Sequence, residues 1–158
     1  MKHVTLITDG ACIGNPGPGV WAALLRFQGA ERLILGSSRA TTNNIMELTA
    51  VLSGLRALEE PCEVLVITDS RYVMNAFDHG WLRNWQSNGW KTADGKPVKN
   101  KEVWLELLAE TKRHTVRWQW VKGHAGHEDN ERVDEAAQQA AAAAAAARPE
   151  PPETPETP

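Results

Sequence analysis

Two stretches of the chain end alike: VTLITDG at residues 4–10 and VLVITDS at residues 64–70, each an aliphatic, β-branched run closed by Thr-Asp. Such runs predict buried strands, and a carboxylate beside a core is costly unless something positive meets it. Asp9 and Asp69 are therefore the first residues whose chemistry asks for a partner. If the two runs are parallel neighbours, both carboxylates leave at the strands' carboxyl ends, the edge where open α/β sheets bind ligands. Glu47 and Asp134 lie on elements that converge on the same edge. Each acid also has an ordinary reading. Asp69 can cap a helix starting at Ser70 or Arg71, and Glu47 can be the reach-back member of an Asn44-x-x-Glu47 capping box. Asp9 can anchor the Gly10 turn, and Asp134 can be a first-turn acid favoured by the helix dipole. Singly those readings are the stronger. Together, the convergence speaks for a site.

The elements that must position these acids follow from the pattern. After the first strand, CIGNPGPG is a Gly/Pro cluster that predicts a turn. VWAALLRF (20–27) and ERLILG (31–36), separated by QGA, predict a hairpin and so three sequential antiparallel strands. NNIMELTAVLSGLRAL (43–58) places Ile45, Leu48, Leu52 and Leu55 at helical spacing behind capping residues. The second ITD strand follows, then SRYVMNAF as a helix start. WLRNWQSNGWKTADGKPVKN is part helix and part loop, and KEVWLELLAETKR (101–113) is a helix. TVRWQWV (115–121) alternates, with Val116, Trp118 and Trp120 on one face. ERVDEAAQQAAAAAAAA has high helix propensity. The order predicts an α/β fold: a mixed five-stranded sheet, three antiparallel strands then two parallel ones, flanked by helices. One domain over 1–147 is expected, with a Pro/Glu/Thr-rich tail at 148–158 that cannot bury apolar surface and should be disordered.

The 158 residues, 42% hydrophobic and 23% charged, describe an ordinary soluble globular domain. No basic segment leads into an apolar one at the start, and no apolar run approaches the length of a membrane span, so a cytoplasmic protein without a membrane partner is expected. Cys12 and Cys62 lack metal-ligand spacing and read as reduced thiols, roughly 30 Å apart at about 3.3 Å per residue. The net charge of −3 argues against a polyanion partner, but its distribution does not. Residues 82–101 hold Arg83, Lys91, Lys96, Lys99 and Lys101 against Asp94 alone. Residues 128–135 hold Glu128, Asp129, Glu131, Asp134 and Glu135 against Arg132. Patches of opposite sign can bind a polyanion at one place and cations at another.

TDGACIGNPGPG, TTNNIMEL, ITDSRYV, GWKTADGKPVKN and WVKGHAGHEDNERVDEAA, in that order, resemble bacterial ribonuclease H of type 1 over residues 1 to about 140. The resemblance implies the ribonuclease H-like fold and an endonuclease that cuts the RNA strand of RNA–DNA hybrids using Mg²⁺. It maps four acids onto Asp9, Glu47, Asp69 and Asp134 and a loop histidine onto His124. The residue types agree with that chemistry. Clustered carboxylates raise one another's pKa unless cations neutralise them, and oxygen ligands without thiolate suit Mg²⁺ or Mn²⁺. Two such ions suit in-line displacement at phosphorus, giving 5′-phosphate and 3′-hydroxyl products. His124 and His127 make only a thin zinc site. Within the family pattern His124 is a proton acceptor or an aid to product release.

The same resemblance assigns the substrate contacts. Asn43 and Asn44, together with backbone at Cys12, Gly14 and Asn15, suit the 2′-hydroxyls that distinguish RNA from DNA, although both asparagines can instead cap the helix. Thr42 and Asn100 match positions that hold a DNA phosphate, and Arg71 stands where relatives often carry Gln. Trp81, Trp85 and Trp90, with Lys91, Lys96, Lys99 and Lys101, correspond to the basic handle at 82–101. The lysines are the functional expectation there, whereas Trp104, Trp118 and Trp120 read as core. A monomer acting on the hybrid is expected. A catalytically silent hybrid-binding module and an integrase-like nuclease are the competing classes.

Overall fold

Strands β1 (Lys2–Cys12), β2 (Gly17–Phe27) and β3 (Ala30–Thr41) form an antiparallel meander, and β4 (Cys62–Thr68) and β5 (Thr115–Trp120) extend it in parallel. The result is one sheet of five strands in the order β3-β2-β1-β4-β5, as the residue pattern predicts. Helix α1 (Asn43–Arg56) connects β3 to β4, and α2 (Arg71–Asp78), α3 (Trp81–Asn88) and α4 (Lys101–Arg113) connect β4 to β5. This computed structural model describes residues 1–12, 16–78, 80–92 and 94–121. The expected last helix, the acidic stretch at 128–135 and the tail at 148–158 lie outside the described residues.

The strands are longer than the pattern predicts. Cys12 belongs to β1 and Gly17–Gly19 to β2, so only a short connection remains of the expected turn. Pro18 is tolerated because the β2–β3 register shifts between Gly17 and Gly19, and such an irregularity relieves proline of a ladder hydrogen bond. β3 runs on to Thr41 because β2 continues to pair with it there. Between β2 and β3, Gln28 (φ 50) and Gly29 (φ 83) form a two-residue turn with both central residues left-handed, the geometry that matches strand twist.

Both faces of β1 are buried, which is why its sequence reads as a continuous apolar run. Val4 and Leu6 join Val64 and Val66 of β4 under Leu48, Val51, Leu52 and Leu55 of α1 and Trp104 and Leu107 of α4. Ile7 joins Val20, Ala22, Leu24 and Ile67 on the other face. α1 sits close on the sheet because residue 54 is glycine: a Cβ there would fall 2.4 Å from Leu6 Cδ1. At the far end of α1, Arg113 Nη2 donates to the carbonyls of Leu55 (3.1 Å) and Leu58 (2.8 Å). Beside it the buried His114 accepts from Cys62 N through Nδ1 at 3.0 Å, with Nε2 3.2 Å from Leu55 O. Trp118 packs against the core as expected, its ring 4.5 Å from that of Phe77. Trp120 does not: it ends the outermost strand and is 39% exposed.

Candidate active site

The chain leaves β1 in opposite directions across the sheet, to β2 and β3 on one side and to β4 and β5 on the other. A crevice therefore opens where β1 and β4 part, the place where such sheets bind ligands. Their parallel pairing runs from Lys2↔Cys62 to Ile7↔Ile67, after which come the buried Thr8 and Thr68 and then the half-buried Asp9 and Asp69. Only Asp69 lies at a strand exit. β1 continues three residues past Asp9, from Gly10↔Trp21 to Cys12↔Gly19, because β2 still pairs with it. Asp9 is thus held rigidly by its own strand, and its carboxylate oxygen Oδ2 is fully buried.

Glu47 reaches this crevice from α1 because residue 10 is glycine. A Cβ on Gly10 would lie 2.5 Å from the Met46 carbonyl carbon and 2.6 Å from Glu47 N. Only a residue without a side chain lets the helix backbone meet the strand immediately after Asp9. α1 starts with Thr42 as its cap, whose Oγ1 accepts from Ile45 N at 3.2 Å. The Asn44-x-x-Glu47 capping box is therefore not formed. Asn43 and Asn44 follow Thr42 in the first turn, and both are exposed.

Ser70 takes the capping role that the sequence offers to Asp69. Its Oγ accepts from Val73 N at 3.2 Å, and its own N–H donates to Thr68 Oγ1 at 3.0 Å. The same hydroxyl donates to Glu47 Oε1 at 2.7 Å, tying the start of α2 to α1. Burial pushes the Glu47 carboxyl above its ordinary pKa; the Ser70 hydrogen bond opposes this, and the negative charge of Asp69 adds to the rise. That mutual repulsion is the electrostatic sign that Glu47 and Asp69 share one site.

The donor chemistry fits a hard divalent cation. The acids offer only oxygen, one Asp9 oxygen is withdrawn from water, and Glu47 is biased toward protonation in a way that a nearby cation would reverse. Asp9, Glu47 and Asp69 would hold such an ion. No three His, Cys, Asp or Glu side chains among the described residues gather as a metal site on their own. Asp134 and His124 lie outside the described residues.

The expected substrate contacts divide. Cys12 Sγ lies 3.3 Å from both Gly17 O and Thr41 O, so its thiol ties the end of β1 to β2 and β3. Gly14 and Asn15 lie outside the described residues. Arg71 is exposed at the start of α2, its guanidinium 5.3 Å from the centre of the Trp120 ring. Asn100 adopts φ 63 ahead of α4 and donates from Nδ2 to the Tyr72 hydroxyl at 3.2 Å, beside Trp104 Nε1 at 3.0 Å. Lys91, Lys96, Lys99 and Lys101 are all exposed. Among the lysine-bearing residues, Lys91 pairs with Pro97, and Thr92 N donates to Lys96 O at 2.7 Å, so the backbone doubles back on itself. Trp81 and Trp85 are half-buried, in a ladder of rings from Trp81 to Trp85 to Trp104 at 6.1 and 5.9 Å, with Trp90 5.8 Å from Trp85. They root the handle in the core and leave its lysines outside.

What the sequence pattern does not show is the contact of Gly10 and of Ser70 with α1, and the exposed place of Trp120 at the end of β5. A glycine directly after the acid, and a serine three residues before a helical apolar position, were the signals for the first two. Trp120 carried none, because an alternating strand does not show where its sheet ends.

Comparison with known proteins identifies the family and supports the fold. The family model for RNase H matches residues 1–142. A ribonuclease H of Oleidesulfovibrio alaskensis is 57% identical over 126 residues, covering 80% of this chain and 82% of the relative. One of Thermus thermophilus is 58% identical over 125 residues, covering 79% and 75%. The crystal structure of LC9-RNase H1, a type 1 RNase H with the type 2 active-site motif, is similar with a TM-score of 0.80 at 33% identity, covering 90% of this chain and 73% of that one. LC11-RNase H1 in complex with an RNA/DNA hybrid shares the fold with a TM-score of 0.65 at 21% identity, covering 90% and 99%. A family match that takes in the whole described region, and relatives at 57% and 58% identity, place this chain in the ribonuclease H family of nucleases.

Proposed function

We propose that this chain hydrolyses the RNA strand of RNA–DNA hybrids by two-metal-ion catalysis, leaving 5′-phosphate and 3′-hydroxyl ends. The observation that carries this reading is geometric: α1 meets β1 at Gly10, directly after Asp9, and the Ser70 hydroxyl, directly after Asp69, holds Glu47 Oε1 at 2.7 Å, so that the Asp69 charge acts on Glu47. When bound, divalent ions of the Mg²⁺ type, with Mn²⁺ as a substitute, would activate a water and neutralise charge on the departing oxygen. The water oxygen forms a bond to phosphorus, the bond to the 3′-oxygen breaks, and that oxygen leaves with a proton. Asp9, Glu47, Asp69 and Asp134 would hold the cations, and His124 would accept a proton or aid product release.

The rest of the chain aligns the hybrid. Asn43 and Asn44, exposed in the first turn of α1, offer amides to 2′-hydroxyls. Thr42 and Asn100 meet the DNA strand's phosphates, and Arg71 stands where relatives use Gln to touch a base or sugar. The exposed lysines of the handle supply counter-charge. The LC11-RNase H1 complex with an RNA/DNA hybrid supports this substrate class. We take the chain to act as a monomer in the cytoplasm, where Cys12 and Cys62 stay free thiols. A labelled RNA–DNA hybrid, tested beside single-stranded RNA, duplex RNA and duplex DNA with and without Mg²⁺, checks the reading. Mg²⁺-dependent cutting confined to the RNA of the hybrid is expected. Equal cutting of duplex DNA would overturn it.

A further inference from the structure

Trp120 ends β5 at the border of the site, and it is neither a metal ligand nor one of the residues proposed to hold the hybrid. The parallel ladder between β4 and β5 runs from Glu63↔Thr115 to Thr68↔Trp120 and closes with Val121 N donating to Thr68 O at 3.0 Å. The next carbonyl along the chain belongs to Asp69, past the last rung. The indole Nε1–H of Trp120 donates to that carbonyl at 3.2 Å. A side chain thus adds one more rung at the residue that carries a carboxylate of the site.

The residues around Asp69 are tied down as well. Thr68 Oγ1 accepts from Ser70 N, and Ser70 O accepts from Met74 N at 3.2 Å. Ser70 Oγ joins Glu47 to α2. Within this exit turn Trp120 holds the Asp69 peptide itself. Trp120 is 39% exposed on an outer strand, where a side chain has rotamer freedom to lose. The Arg71 guanidinium over its ring braces it in the donating pose.

We propose that Trp120 is a positioning residue: its indole N–H fixes the Asp69 peptide and so aims the Asp69 carboxylate at the divalent cation, with Arg71 as the brace. The inference rests on the reading of Asp69 as a metal ligand. Orienting partners of metal ligands change affinity or activity by about 10- to 100-fold, and a partly exposed bond belongs at the lower end.

The test replaces Trp120 by benzothienylalanine, site-specifically, which keeps the ring's shape and puts sulfur where the N–H was. Trp120→Phe serves as a second variant. Calorimetric titration of the full chain with Mn²⁺ alone reads metal affinity without substrate, and saturating hybrid separates kcat from KM. Both variants should bind Mn²⁺ about 10-fold more weakly and lose a similar factor in kcat, with KM for the hybrid within about twofold. The melting temperature of the benzothienylalanine protein should stay within a few degrees of wild type. Unchanged Mn²⁺ affinity and kcat in that protein would overturn the role of Trp120, as would a loss in melting temperature with metal affinity intact. A wild-type chain that binds no Mn²⁺ and cuts no hybrid would instead overturn the functional reading on which the inference stands.

Discussion

Gly10→Ala adds a single methyl group and should disable the site while leaving the fold in place. Its Cβ would lie 2.5 Å from Met46 C, 2.6 Å from Glu47 N and 2.8 Å from Met46 O. All three are backbone atoms, so no side chain can swing aside. Ordinary contact begins near 3.4 Å, so the first turns of α1 must recede from β1 by about 1 Å, a displacement that can lower catalysis on the order of 10²-fold. Overpacking of this kind also destabilises by about 1–3 kcal/mol, which for a domain of this size lowers the melting temperature by roughly 3–10 °C. The handle lysines lie on a different part of the chain, so KM should move little. Single-turnover cleavage at saturating hybrid reads the chemical step, and circular dichroism reads the melt. Gly29→Ala is the control: that turn glycine has φ +83 with open space around it, so it should lose about 1 kcal/mol to strain alone and keep its kcat. If Gly10→Ala retains kcat within threefold of wild type, the close approach of α1 to the TDG segment does not set the position of Glu47.

Three other outcomes are expected. Asp9→Asn and Asp69→Asn should each remove nearly all cleavage from a folded protein, and in the metal-free state Asp69→Asn should lower the Glu47 pKa, because the Asp69 charge raises it; an unmoved Glu47 titration by carboxyl-resolved NMR would separate the two acids. Burial, with Arg113 adding to it, depresses the His114 pKa below its ordinary 6.5. The folded state therefore binds fewer protons than the unfolded one, and the stability it contributes is present above about pH 6.5 and drains away as pH falls below that value. Urea unfolding from pH 7.5 to 5 should show this slope, and His114→Asn, which keeps an acceptor for Cys62 N, should flatten it. Replacing Lys91, Lys96 and Lys99 with Ala should raise KM at moderate salt more than it lowers kcat, and should reduce the slope of log KM against log salt by about one unit for each phosphate left without its lysine; parallel salt plots for mutant and wild type would mean that these lysines touch no phosphate.

Much of this protein is written in its local pattern. The two ITD runs are continuous and apolar because these parallel strands are buried on both faces, so strand identity follows from composition. The helical spacing of Ile45, Leu48, Leu52 and Leu55 locates α1, and the excess of lysine at 91–101 locates the exposed face of the handle. Element ends are less legible. β1 outlasts Asp9, and β2 takes in Pro18, because a distant strand decides how long pairing continues.

What only the tertiary structure decided are the contacts between segments far apart in the chain. Ser70 serves the start of α2 and Glu47 at once, a link across 23 residues that no local motif encodes. Gly10 matters because Met46 and Glu47 arrive against it, and a glycine gives no sign in sequence of what will occupy its missing side chain. Trp120 has the alternation of a core residue, yet it lies on the sheet's outer strand, where its N–H reaches Asp69 across 51 residues. Local propensity and periodicity choose the elements through neighbours a few residues away. Which side chain meets which carboxylate depends on how those elements pack, and that is determined only when the whole chain has folded.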